Sequence, residues 1–179
     1  MNTRKLVLEN KSDIEFVEKL YIESFPPNER RSVSKMHNLI EQNELFDVFL
    51  LFEDNLRVGF FSLWTFDSFI YLEHFAILPE YRNGGYGKKS VHLIINETKL
   101  PLIGEIELPS ASEIASRRLA FYERLGFKIW DISYVQPPYE EGFDPVPMKL
   151  ISYRDIDLNQ KQNEVKTLLY ANVYQWENV

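Results

Sequence analysis

Apolar and polar positions follow two different periods along this chain, and the local period predicts the element. Residues 3–9 read as a first strand. Ser12 followed by Glu15 has the form of a capping box. Ile14, Val17, Leu20 and Tyr21 then recur at helical spacing, predicting a helix to about Ser24 that Pro26 and Pro27 end. The loop 25–32 leads into a shorter helix near 33–41. Three apolar runs follow, 46–53, 58–65 and 69–78, joined by Asp54-Asn55 and Asp67-Ser68. Connections this short predict an antiparallel meander, and the middle run, apolar on both faces, predicts a central strand. After Pro79 the helical period returns, with Gly87, Val91, Ile94, Ile95 and Thr98 on one face of a helix over 85–98. A strand over 102–108 comes next. Ser110 and Glu113 form a second capping box, opening a helix whose stripe is Ile114, Phe121 and Leu125 and which Gly126 stops. A strand over 127–135, a Pro- and acid-rich loop over 136–145 and a last strand over 146–152 follow. Val165, Leu168, Leu169 and Trp176 give the tail an amphipathic helix. The order predicts an α/β (α+β) fold with a mixed, mostly antiparallel central sheet and helices on both faces. One domain over 1–179 is expected, with 153–179 a C-terminal helical extension.

Composition narrows the function classes. Lys plus Arg is 20 against 27 Asp plus Glu, a net charge of −7. Phosphate contacts need cationic surface, so no nucleic-acid partner is expected. The acidic balance suits a cationic partner, although solubility alone also explains it. The absence of cysteine excludes disulfides, thiolate metal sites and a Cys nucleophile, and fits a reducing cytoplasm. His37, His74 and His92 have no metal-ligand spacing, so no metal is expected. No apolar run reaches the roughly 18 residues of a membrane span, and Glu9 follows Leu6-Val7-Leu8 too soon for a leader core.

The most informative stretch runs from Ile77 to Lys89, where a buried strand meets a helix start through Arg82-Asn83-Gly84-Gly85-Tyr86-Gly87. Free backbone N–H groups and the positive dipole end make such a place an anion site, and glycine lets backbone approach a ligand closely. Lys88 and Lys89 add positive charge. A phosphate-bearing ligand and a plain tight turn both fit the glycines alone. Two phosphate motifs fail. A P-loop ending at Gly87-Lys88 would need glycine at 82 and a hydroxyl at 89, where Arg82 and Lys89 stand. The dinucleotide fingerprint would need its third glycine at Ser90 and a parallel βαβ unit.

What fits is R-x-x-G-x-G after an apolar strand and a proline, as Arg82 to Gly87. With Phe75-Ala76-Ile77-Leu78-Pro79 before it, this stretch resembles the GNAT superfamily of acetyl-CoA-dependent N-acetyltransferases. Phe121-Tyr122-Glu123-Arg124-Leu125-Gly126-Phe127 is similar to the F-Y-x-x-x-G-F end of that family's next helix. The resemblance implies that Arg82, Asn83, Gly84, Gly85, Tyr86 and Gly87 hold the coenzyme A pyrophosphate. It implies that Phe75, Ala76 and Ile77 run along the pantetheine arm, with a backbone N–H near Ile77 polarising the thioester carbonyl. Tyr122 matches the position of the acid that protonates the departing thiolate, although the shared face of Ala115, Leu119 and Tyr122 fits a core residue too. The tail after about Ser152 lies outside the resemblance.

A base for the acceptor amine is the remaining requirement. Glu73 interrupts an apolar strand, where a carboxylate has to face water or a partner. It is expected on the cleft side as general base, with a salt bridge as its structural alternative and Glu107 or water as substitutes. Strand alternation places Glu73 and His74 on opposite faces. The acceptor is expected between segments 25–32 and 139–144, where aromatics beside carboxylates suit a cationic amine. The expected ligands are thus acetyl-CoA as cosubstrate and an amine on a small molecule or a protein, bound by a monomer or homodimer. The alternatives are a non-catalytic acyl-CoA-binding or sensory domain, and a structural module docking a partner through 158–176.

Overall fold

The computed structural model describes residues 1–176, which group into two compact units, Met1–Leu100 and Pro101 onward. The first contains β1 (Asn2–Lys5), α1 (Lys11–Ser24), α2 (Val33–Gln42), β2 (Phe46–Glu53), β3 (Leu56–Thr65), β4 (Ile70–Ile77) and α3 (Tyr86–Glu97). Its strands pair antiparallel in the order β1-β2-β3-β4. Asp54 and Asn55 both take positive φ, 49° and 67°, the conformation that matches a two-residue turn to the twist of β2 and β3. Val58 through Ser62 are buried without a break, so β3 is the central strand its composition predicts. Phe46, Leu50, Phe60, Phe61, Trp64 and Tyr71, each at most 1% exposed, form the heart of this core.

Two predicted boundaries move. The first strand stops at Lys5 because the chain turns after Leu6, with the Asn10 N–H donating to the Val7 carbonyl at 3.2 Å. Helix α1 is capped by Asn10, whose side-chain oxygen accepts from the Asp13 N–H at 3.3 Å. Ser12 therefore lies inside the first turn, where its hydroxyl accepts from Arg57 at 2.9 Å.

The second unit contains β5 (Leu102–Glu107), α4 (Glu113–Arg124), β6 (Lys128–Ile129), β7 (Tyr134–Gln136), β8 (Val146–Tyr153) and α5 (Leu158–Leu168). Strand β8 pairs antiparallel with β5, β6 and β7. The strand predicted over 127–135 is broken in two. Trp130 still meets β8, its N–H donating to the Leu150 carbonyl at 3.0 Å and its indole N–H to Ser152 at 2.8 Å, and the chain leaves the ladder before β7 resumes at Tyr134. Helix α4 is capped by Ser112, not Ser110, through a 3.0 Å bond from the Ala115 N–H. Its stripe shifts in part, with Leu125 buried as predicted. Ile114 is 67% exposed, whereas Ala115 and Tyr122 are buried. Gly126, at φ +87°, ends the helix as expected. The tail helix α5 is capped by Asp157 and tied down by Gln162, which donates to the Ser133 carbonyl at 3.2 Å. Beyond α5 the Tyr170 hydroxyl donates to the Val135 carbonyl. Among the described residues, no helix is long and apolar enough to cross a membrane, and no group of acidic or histidine side chains has the arrangement of a metal site.

Candidate active site

Strand β4 leads through a single 3-10 turn, Pro79–Tyr81, to the start of α3. Gly85 takes φ +81° and sits at the N-cap, where no side chain satisfies the first-turn amides. These donors and the helix dipole together suit an anion. Asn83 is also left-handed, at φ 64°. Arg82 braces the turn by donating from Nε to the Ile77 carbonyl at 2.9 Å. Lys89 reaches Glu53 at 2.6 Å, which raises its pKa, whereas Lys88 is exposed. Gly85→Glu places a carboxylate at this helix start on a backbone that L residues rarely adopt, so, on the expectation that coenzyme A binds here, it should abolish that binding in calorimetry. Affinity within about twofold of the parent would contradict the assignment of the anion site to this turn.

Phe75, Ala76 and Ile77 stand opposite Phe61, Phe60 and Gly59 of β3. One step earlier the register breaks: Ser62 faces His74 and Leu63 faces Leu72, so Glu73 is the extra residue of a β-bulge. The bulge corrects the alternation expected of this strand, because Glu73 and His74 reach the same hydroxyl. Ser62 Oγ lies 3.3 Å from Glu73 Oε2 and 3.3 Å from His74 Nδ1. Nor is Glu73 on open surface: its side chain is 0% exposed and meets Arg31 at 2.5 Å. Burial would raise its pKa, but Arg31 and then His74 outweigh burial and hold the carboxyl below the ordinary carboxylate range. The unfolded chain takes up this proton at about pH 4.3, the ordinary glutamate value, and the folded chain does so at lower pH. The pair's stabilisation is therefore complete above that value and fades on acidification. Glu73→Gln should show a shallower loss of stability between about pH 4 and pH 2 than the parent in an acid titration followed by near-UV dichroism. Parallel curves would contradict it.

Tyr122 lies in the second unit, buried on α4 between the rings of Phe121 and Phe127, each 5.1 Å away edge-on. Burial pushes its phenol up to about 12, with Arg118 lowering it and Glu107 raising it. Glu107, the substitute base, is paired with Arg118. Sequence reasoning missed Arg31, Ser62 and Glu105. Glu105 accepts hydrogen bonds from Tyr134 at 2.5 Å and from Tyr174 at 2.8 Å. Arg31 had a visible signal, an arginine four residues past a proline pair in the expected acceptor loop. Its pairing to residue 73 had none. In the other acceptor segment Tyr139 is buried, and Phe143 is 41% exposed.

A family model described as an acetyltransferase (GNAT) domain matches residues 44–129. A GNAT-family acetyltransferase structure from Bacteroides thetaiotaomicron is 36% identical, with a TM-score of 0.93 over 97% of this chain and 98% of that one. The Escherichia coli ribosomal-protein-S18-alanine N-acetyltransferase is 19% identical, with a TM-score of 0.58 over 84% of this chain and 90% of its own. A GNAT acetyltransferase from Elizabethkingia anophelis with acetyl-CoA bound is 16% identical, with a TM-score of 0.57 over 86% and 97% of the two chains. These last two likenesses are of fold. No curated protein matches the chain.

Proposed function

The chain belongs to the GNAT family of acetyltransferases, and from that premise we propose that it transfers the acetyl group of acetyl-CoA to a primary amine by direct attack in a ternary complex. The observation that carries this reading is the left-handed Gly85 at the α3 N-cap, where no side chain occupies the first-turn amides. Main-chain amides of the turn Arg82–Gly87 hold the pyrophosphate, those from Asn83 to Gly87 foremost, because the Arg82 N–H already donates to the Pro79 carbonyl at 3.2 Å. Phe75, Ala76 and Ile77 run along the pantetheine, and the Ile77 N–H polarises the thioester carbonyl. The neutral amine attacks the carbonyl carbon, the C–S bond breaks, and Tyr122 supplies a proton to the departing sulfur. The ammonium proton leaves to water, because Glu73 and Glu107 are each held by an arginine. The family match crosses from one compact unit into the other, which supports reading 1–179 as one acetyltransferase domain with 153–179 its helical extension. The cysteine-free chain is consistent with a cytoplasmic protein.

The engagement of Glu73 by Arg31 also favours a second reading, a non-catalytic acyl-CoA-binding or sensory domain. One experiment separates the two: acetyl-CoA with the purified protein and spermidine, kanamycin, lysine or a peptide with a free N-terminus, following free thiol. Amine-dependent thiol release is expected. Coenzyme A binding without thiol release across such amines would support the sensor.

A further inference from the structure

We propose that Arg31 and Glu73 are a positioning pair: they fix the segment Phe25–Arg31 on the β4 bulge and thereby set the wall against which the amine acceptor sits. The inference rests on the acetyltransferase reading, in which this segment belongs to the acceptor side.

The contacts converge on one short stretch of backbone. Both oxygens of Glu73 accept from the Arg31 guanidinium, at 2.9 and 2.5 Å. The guanidinium carbon lies 5.4 Å from the Phe46 ring centre and 5.8 Å from that of Trp64, and aromatic faces favour a cation. The Tyr21 hydroxyl accepts from the Arg31 N–H at 3.0 Å and lies 3.3 Å from the Arg31 carbonyl. Two residues earlier, the Glu29 carbonyl lies 3.2 Å from His74 Nε2. Main chain at 29 and 31 and side chain at 31 are thus all tied to β4 and α1.

Stability alone does not account for this arrangement. Replacing both members of a buried ion pair by apolar groups is often neutral for stability, whereas removing one member is costly. What the bidentate pair does supply is register. The bulge turns Glu73 toward Arg31, and the pair leaves the 25–31 segment one seat on the strand. A carboxylate held in this way is a poor proton acceptor, which separates this role from that of a base.

The test compares Arg31→Met, Glu73→Gln and the double variant Arg31→Met/Glu73→Leu with the parent, and the double variant keeps the test open should a single variant fail to fold. Acetyl-CoA affinity should stay within about twofold. For whichever of spermidine, kanamycin, lysine or a free-N-terminus peptide the parent acetylates, KM should rise about tenfold or more with kcat within about threefold. The single and double variants should show the same defect, as members of one unit do. Hydrogen exchange over 25–31 should quicken about tenfold or more in the double variant, with 86–97 unchanged. A base role predicts the opposite split, a fall of about 10²–10⁴ in kcat at constant KM for Glu73→Gln and not for Arg31→Met, and that result overturns the proposal. Unchanged exchange over 25–31 overturns it as well. If the parent fails to bind acetyl-CoA, the acetyltransferase reading fails, and the exchange result alone decides the pair.

Discussion

A Tyr122→Phe chain should release thiol about 10²–10⁴-fold more slowly than the parent while binding acetyl-CoA equally well. In barrier terms this is about 3–5 kcal/mol. The substitution removes one oxygen and keeps the ring, so the edge-on contacts with Phe121 and Phe127 at 5.1 Å survive and the fold is preserved. What is lost is a donor. The hydroxyl, pushed up to about 12 mainly by burial, stays protonated through the neutral and mildly alkaline range. A departing thiolate with a reference pKa of about 8.5 meets a phenol that still carries its proton. The same elevation shapes the pH profile: loss of the phenol's proton should not curtail turnover until pH rises toward about 12, whereas an ordinary tyrosine would impose a limb near 10. Equal turnover by Tyr122→Phe would remove the acid role and return Tyr122 to the core.

Gly59→Ala should cost the fold about 3 kcal/mol, at the upper end of overpacking penalties. A Cβ at Gly59 would lie 2.3 Å from the Ala76 carbonyl oxygen and 3.2 Å from the Ile77 Cα. Both neighbours are backbone, so no rotamer change relieves the clash. Either β3 and β4 separate or β4 shifts along its length. The midpoint of thermal unfolding should fall by about 6–12 °C for a chain of this size, and a change under about 2 °C would show that the strands absorb the methyl group. The position gives the effect a second consequence. Gly59 stands opposite Ile77, whose N–H is proposed to polarise the thioester, so the surviving folded fraction should also lose turnover. A small misplacement of a group that orients the reacting carbonyl is a recognised cause of large rate losses.

The turn at the candidate site was legible because it follows local rules. Gly85 takes the left-handed backbone that glycine favours, and Arg82 to Gly87 share one turn, so a short motif conveyed its conformation, while its chemistry stays with the proposal. Most helices and strands were likewise legible, because burial of one face imposes a period. The misses share a cause. Ser12 and Ser110 were each two residues from the true caps, Asn10 and Ser112, since several hydroxyl and amide side chains compete for one helix start. Trp130 is anchored by its indole to Ser152 beside the point where the predicted strand parts, and Glu73 found Arg31 because a bulge turned it. Both depend on partners distant in sequence. Alternation of Glu73 and His74 would have held had the register been regular. One inserted residue cancels it, and no apolar pattern announces an insertion in a strand that is buried on both faces.

The central claim is that main-chain amides between Arg82 and Gly87 grip a diphosphate. The direct measurement is a titration of the 15N-labelled protein with coenzyme A, following the amide resonances of Gly84, Gly85 and Gly87. The account predicts saturable downfield shifts of these three amides, reproduced by adenosine 3′-phosphate 5′-diphosphate and absent in Gly85→Glu. Resonances that stay fixed while coenzyme A binds elsewhere, or that fail to respond at saturating concentration, would contradict it.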